Sequence, residues 1–292
     1  MAKIFFTDTD ELLDIRYDNV FKAVFTRDTA ASNGALSRLI SAFISQDVIV
    51  QTINANEPPI DTIHDRQIRF DIYCKTKDGE MVNVEMTFNP DPFEPVRLEF
   101  LAGKLFTRQD IRGSKKSYND LKEAYQIAIL GKEKFFSDES FLHTFQYYDP
   151  EKQVSLNGKS RIITVELSKL EKVAKKPTEE MSIQENWAFY FRYLTDKSKR
   201  RKINEILEKN EGIAMASEAL ISISKDEKEW AHLMSEYKYE LDTQSKLVHA
   251  RREGEKKGEQ KGKQLGRQEI IDLLKNGKSP EEIIREHESS SN

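Results

Sequence analysis

The chain has a single cysteine in its 292 residues. Cys74 has no partner for an internal disulfide, so the fold rests on packing alone. It falls on the apolar side of an alternating run, which reads as a buried structural thiol and not a nucleophile. No Cys/His cluster has zinc-ligand spacing, which argues against a zinc site. Long apolar runs are also missing, and nothing approaches the roughly 20 residues that cross a bilayer. The opening MAKIFFTDTDELLD lacks the apolar core of a secretory leader, so a cytoplasmic protein is expected. Positive charge is not in excess either. Lys and Arg total 46 against 50 Asp and Glu, a formal net charge of -4. Any surface that meets a nucleic acid must therefore be a local patch. The length suits one large domain or two smaller ones.

What is present is an acid on each of two strand-like runs in FDIYCKTKDGEMVNVEMTF, residues 70–88. Phe70, Ile72 and Cys74 alternate with Asp71, Tyr73 and Lys75. Val82, Val84, Met86 and Phe88 alternate with Asn83, Glu85 and Thr87. This is the period of strands with one apolar face. A two-residue Asp78-Gly79 turn would set polar against apolar faces, which a buried sheet does not accept. A three-residue loop, Lys77-Asp78-Gly79, pairs 76 with 80 and gives Gly79 the left-handed position. Asp71 then lies opposite Glu85 on the same face. Like charges so placed repel. They share a proton or bind a cation, or they stand in solvent with Lys75 relieving the repulsion. A hard divalent ion such as magnesium suits such a pair.

Other elements follow from spacing. DNVFKAVFT, residues 18–26, reads as a short helix burying Val20, Phe21, Val24 and Phe25. A second helix is expected at about 31–46. NPDPFEP ends the second strand and starts a helix over about 95–112, stopping near Gly113. AYQIAIL (124–130) and RIITVEL (161–167) read as core strands. The alternation predicts an α/β layer fold. Residues 179–249 read as helical, with Trp187, Phe189, Tyr190, Phe191 and Trp230 as core. Gly254, Gly258, Gly262 and Gly266 recur every fourth residue of a charged tail. Each interior glycine costs a helix roughly 0.5–1 kcal/mol.

The order of parts resembles a known family. Asp18, Phe21, Lys22 and Phe25 give D-x-x-F-K-x-x-F. F-D-I (70–72), N-V-E-M (83–86), a helix with Arg97 near its start, QIAIL, ITVEL-x-K-L and the glycine-punctuated tail follow. This resembles the bacterial Rpn family of recombination-promoting nucleases, transposase-like members of the PD-(D/E)XK nuclease superfamily. The resemblance implies a restriction-endonuclease-like core, a mixed sheet flanked by helices, over residues 1–170. A helical region over 171–249 and a charged helical tail over 250–292 complete the expected organisation. It also implies a DNA endonuclease dependent on Mg2+ (or Mn2+), with a possible link to recombination or mobile elements. Asp71 and Glu85 fall on the superfamily's two acids, with the Met86 backbone carbonyl as a further ligand. The catalytic lysine falls on Thr87, whose neutral, shorter side chain holds a water less well than lysine or glutamine.

Four further candidates carry alternative readings. Asp18 is either an additional metal-binding acid or a helix N-cap. Arg97, Lys104 and Arg108, at i, i+7 and i+11, share one helical stripe. They suit DNA phosphates, or they are a solvated edge with snorkelling stems. Lys104 is also a candidate for the missing catalytic lysine. The drifting glycine stripe suits a close helix pair and hence a homo-oligomer through the tail, or the tail is a flexible charged linker to a short final helix, IIDLLKNG. Two rival functions remain: a catalytically inactive nuclease fold that binds DNA or a protein, and a helical assembly protein.

Overall fold

The computed structural model describes residues 5–53, 70–111, 116–132, 134–225, 227–280 and 285. The hairpin comes first because it fixes the site. Strands β2 (Ile72–Thr76) and β3 (Met81–Thr87) pair antiparallel, Ile72 with Val84, Cys74 with Val82 and Lys75 with Met81. This is the register of the three-residue loop. The Thr76 N–H donates to the Glu80 carbonyl at 3.0 Å, and Gly79 takes φ of 93°. Asp71 stands one residue before β2, where the register continues opposite Glu85.

Before the hairpin come α1 (Asp18–Thr26), α2 (Ala30–Ile44) and the short strand β1 (Val50–Ile53). Val20, Phe21, Val24 and Phe25 of α1 are all buried. The side chain of Thr29 caps α2 by accepting from the Ser32 N–H. After the hairpin, α3 (Glu94–Thr107) starts with Pro95 in its first turn, where the missing N–H costs nothing. It ends five residues before the expected position, and Gly113 lies outside the described residues. Strands β4 (Ala124–Leu130), β5 (Leu142–Phe145) and β8 (Ser160–Glu166) complete the sheet, and β6 (Tyr148–Asp149) and β7 (Val154–Ser155) form a separate small pair.

Among the described residues the sheet has six strands in the order β1-β2-β3-β4-β8-β5. β3, β4 and β8 run parallel and the outer pairs run antiparallel. The fold is therefore α/β with a mixed sheet and flanking helices. β3-α3-β4 is a crossover unit, and α3 lays Leu98, Leu101 and Leu105 on one sheet face.

The remaining helices are α4 (Glu171–Lys175), α5 (Ile183–Tyr193), α6 (Arg200–Lys209), α7 (Glu211–Lys225) and α8 (Glu227–Lys275). Trp187, Phe189, Tyr190 and Phe191 of α5 are buried, and the side chain of Trp230 lies outside the described residues. The α5 rings meet those of α1: Phe25 and Trp187 centroids are 6.1 Å apart, and Phe21 and Phe191 5.9 Å. α7 packs on α1 and α2. The chain divides into two compact units, Met1–Leu233 and Met234–Asn292. In the second, α8 runs unbroken through all four tail glycines. Ion pairs Arg251–Glu255, Glu253–Lys257 and Glu259–Lys263, each four residues apart, brace it.

Gly79 and Gly103 make a paired test of the hairpin. Gly79→Ala places a Cβ in the left-handed region and should destabilise the chain by about 1–2 kcal/mol. Gly103→Ala, in open space on α3, should stabilise it by roughly 0.5–1 kcal/mol. Urea midpoints that move in the same direction for both would contradict this register.

Candidate active site

Glu85 lies in the middle strand of the β2-β3-β4 group and is 1 % exposed. Its carboxylate accepts from both terminal nitrogens of Arg97 at 3.3 Å. It also accepts from the Gln126 side-chain amide at 3.0 Å, and Gln126 in turn accepts from Asn83 at 3.0 Å. Arg97 reaches Glu85 because α3 starts beyond the end of β3 and runs back over the sheet. The same guanidinium holds Glu94, buried in the first turn of α3, at 3.0 and 3.2 Å. Thr87 closes the ring: it accepts from Arg97 at 3.2 Å and donates to Glu94 at 3.3 Å.

Asp71 sits beside this ring. It accepts from the Met86 N–H at 3.3 Å and pairs with Lys22 of α1 at 3.1 Å. Lys22 also pairs with Asp18 at 2.7 Å. The N-cap reading of Asp18 is corrected here. Tyr17 occupies the cap position and Asp18 is the first helical residue, so its carboxylate turns one turn along the helix to Lys22. Its Oδ1 is buried without a hydrogen-bond partner. Met86 lies past the last paired residues of β2 and β3.

Among the described residues, two adjoining ion-paired groups, Asp18–Lys22–Asp71 and Glu85–Arg97–Glu94, together hold four carboxylates and two cations. With every group ionised, four negative and two positive charges leave a net charge of -2. Burial, then the charge of Asp71, push the Glu85 pKa up to about 8 against the pull of Arg97. Burial, then Asp18, push that of Asp71 up to about 6 against the pull of Lys22. The Arg97 pKa is raised, burial opposing and Glu85 and Glu94 outweighing it. A proton is therefore one way to satisfy the excess, and a divalent cation is the other.

The donors fit a hard cation: carboxylate oxygens, one of them buried without a partner, in a site short of positive charge. Among the described residues, no three His, Cys, Asp or Glu side chains converge as a ready-made cage. Lys22 and Arg97 occupy the carboxylates instead.

The other two basic candidates lie elsewhere. Lys104 is exposed, its amine 5.7 Å from the Phe100 ring centroid. Arg108 packs over Tyr73 at 4.3 Å and Phe70 at 5.6 Å, about 16 Å from Arg97 along the helix axis. Lys22, Glu94 and Gln126 were not singled out as site residues from sequence. Lys22 stands in the D-x-x-F-K-x-x-F opening, and Glu94 stands one turn before Arg97. Gln126, inside an apolar strand, was the clearer signal, since a buried amide needs a partner.

A mixed sheet with helices on both faces and acids at the ends of adjoining strands has the architecture of the PD-(D/E)XK class. The chain belongs to that class: the model of the PD-(D/E)XK nuclease family transposases matches residues 15–250. No curated protein and no solved structure matches it. Nucleases of this class typically use divalent metal ions, and the family implies a DNA substrate.

The raised carboxyl pKa values predict how any cation bound by these acids would depend on pH. The acids must lose their protons to bind a cation, so affinity should rise with pH from about 6 to 8 and level off above. Calorimetric titration with Mn2+ in buffers of different ionisation enthalpy should show proton release at pH 7. Affinity that does not change over this range would contradict the assignment.

Proposed function

We propose that the chain is a metal-dependent DNA endonuclease that hydrolyses phosphodiester bonds in the service of a mobile element or of recombination. The narrower Rpn assignment belongs to the same proposal. The observation that carries it is the excess of two negative charges among the ion-paired side chains of the described residues at the strand ends. Asp71, Glu85, the Met86 carbonyl and Asp18 would hold Mg2+ or Mn2+. Such an ion supplies an activated water and neutralises charge developing on the phosphate. Arg97 neutralises the buried acids and, half exposed, presents its guanidinium to a phosphate. Lys22 supports this reading better than Lys104 as the amine standing in for the lysine absent at Thr87, because it already touches Asp71. Lys104 and Arg108 are assigned to more distant phosphates.

In the proposed division, residues 1–170 carry the chemistry, 171–249 form the helical region and 250–292 the tail. The tail is proposed to self-associate. Its ion pairs return less than its four glycines cost, and Leu265, Ile270, Ile271 and Leu274 are exposed along it. A second reading, a nuclease fold that binds DNA without cutting it, is favoured by one observation. Thr87 is engaged with Arg97 and Glu94, and its neutral, shorter side chain holds a water less well than lysine or glutamine.

Plasmid cleavage with Mg2+ or Mn2+ tests the proposal. Asp71→Ala should lower the rate by more than the roughly 10–100-fold that loss of a ligand's supporting group costs. Thr87→Lys should raise it. Metal binding without cleavage in both the parent and Thr87→Lys would favour the second reading over the first. Truncation after residue 248 should lower the mass seen by light scattering, and a monomeric full-length chain at high concentration would rule out the tail's role.

A further inference from the structure

A cavity of about 260 Å³ opens between α3 and the β8-β5 edge of the sheet. Leu98 and Ala102 of α3 form one wall, Phe136, Phe145 and Tyr147 contribute aromatic rings, and Thr164 of β8 lies against it. Thr164 is 1 % exposed, and its Oγ1 has no hydrogen-bond partner. An unsatisfied buried hydroxyl is costly, and it marks where a polar group of a ligand would sit.

The cavity adjoins the acidic site. Glu85 pairs with Ala128 and Ala128 with Thr164, so the three side chains share one sheet face. Thr164 stands two strand spacings from Glu85, about 10 Å. Arg97 immediately precedes Leu98, so the helix that holds Glu85 also walls the cavity.

The lining decides the ligand. It contains no Lys or Arg among the described residues and includes the acid Glu99, so it does not suit a phosphate. Its volume falls below the roughly 300–1,000 Å³ of sites for drug-sized ligands. Phe136 and Phe145 have ring centroids 5.1 Å apart, and Phe145 and Tyr147 are open to solvent. Aromatic rings, one buried hydroxyl and a small volume suit a planar heterocycle that stacks and accepts or donates one hydrogen bond.

We propose that this cavity receives one unpaired nucleobase of the DNA strand held at the acidic site, stacked on the Phe136–Phe145–Tyr147 rings and hydrogen-bonded to Thr164. The proposal rests on the DNA-nuclease reading and deepens it. It makes the substrate a duplex that can yield a base at the cleavage position, as a mismatch, bulge or junction does. An already unpaired base enters without the cost of unstacking and unpairing.

The test is binding of the full-length chain, without divalent metal, to duplexes carrying 2-aminopurine either paired or unpaired. The unpaired probe should bind about tenfold more tightly, with altered fluorescence as the base stacks. Phe145→Ala and Thr164→Val should each reduce that preference while leaving affinity for the paired duplex unchanged. Phe145 is exposed and Thr164→Val preserves volume, so both variants should fold. Equal binding of both duplexes with unchanged fluorescence would overturn the inference and leave the nuclease reading standing. Binding of free 2-aminopurine riboside without binding of DNA would overturn the strand as the source of the base and the nuclease reading with it. Binding of neither would overturn both.

Discussion

The site depends on a charge imbalance held where water is scarce. Among the described residues, four carboxylates pair with two cations at the ends of β2, β3 and the N-termini of α1 and α3. Buried charges are tolerated only when paired and hydrogen-bonded. Glu85 meets that condition through Arg97 on one side and Gln126 on the other. The excess remains, and the upward pKa shifts of Asp71 and Glu85 express it. A protein that needed only a stable sheet would place apolar side chains here, since these generally serve as well or better.

The fold supplies each partner from a different element. The hairpin register sets Asp71 beside Glu85. The β3-α3-β4 crossover brings Arg97 and Glu94 back over the strand end, and α1, which precedes the hairpin, brings Lys22 and Asp18. The aromatic contacts of α1 with α5 then matter to the site, because they seat the helix that carries Lys22. α5 and α7 are in this sense part of the site's support.

Much of this was legible in the sequence. Period-two alternation and one glycine were enough to choose the hairpin register, because the alternative loop would have turned polar residues into the core. Helical spacing located α1, α2, α3 and the α5 aromatics. The short strands β5, β6 and β7 were not legible: four- and two-residue runs such as LHTF and YD carry too few positions to show a period. The opposite placements of Arg97 and Arg108 were hidden as well. A helical stripe puts them on one face but does not say which end meets the acids and which meets the Tyr73 ring. The pairing of Asp18 with Lys22 was hidden for a related reason. An acid at a helix start suits a cap and a lysine one turn on equally well, and the backbone of Tyr17 decided between them. Gln126 was passed over because an apolar strand was read as uniformly core, while its amide is bonded on both sides.

The central claim is that the acids form one cation site. Electron paramagnetic resonance of Mn2+ added to the full-length chain and to Glu85→Gln tests it most directly. One tightly bound ion per chain, absent in Glu85→Gln, is the predicted result. Undiminished binding in that variant, or none in the parent, would contradict the account.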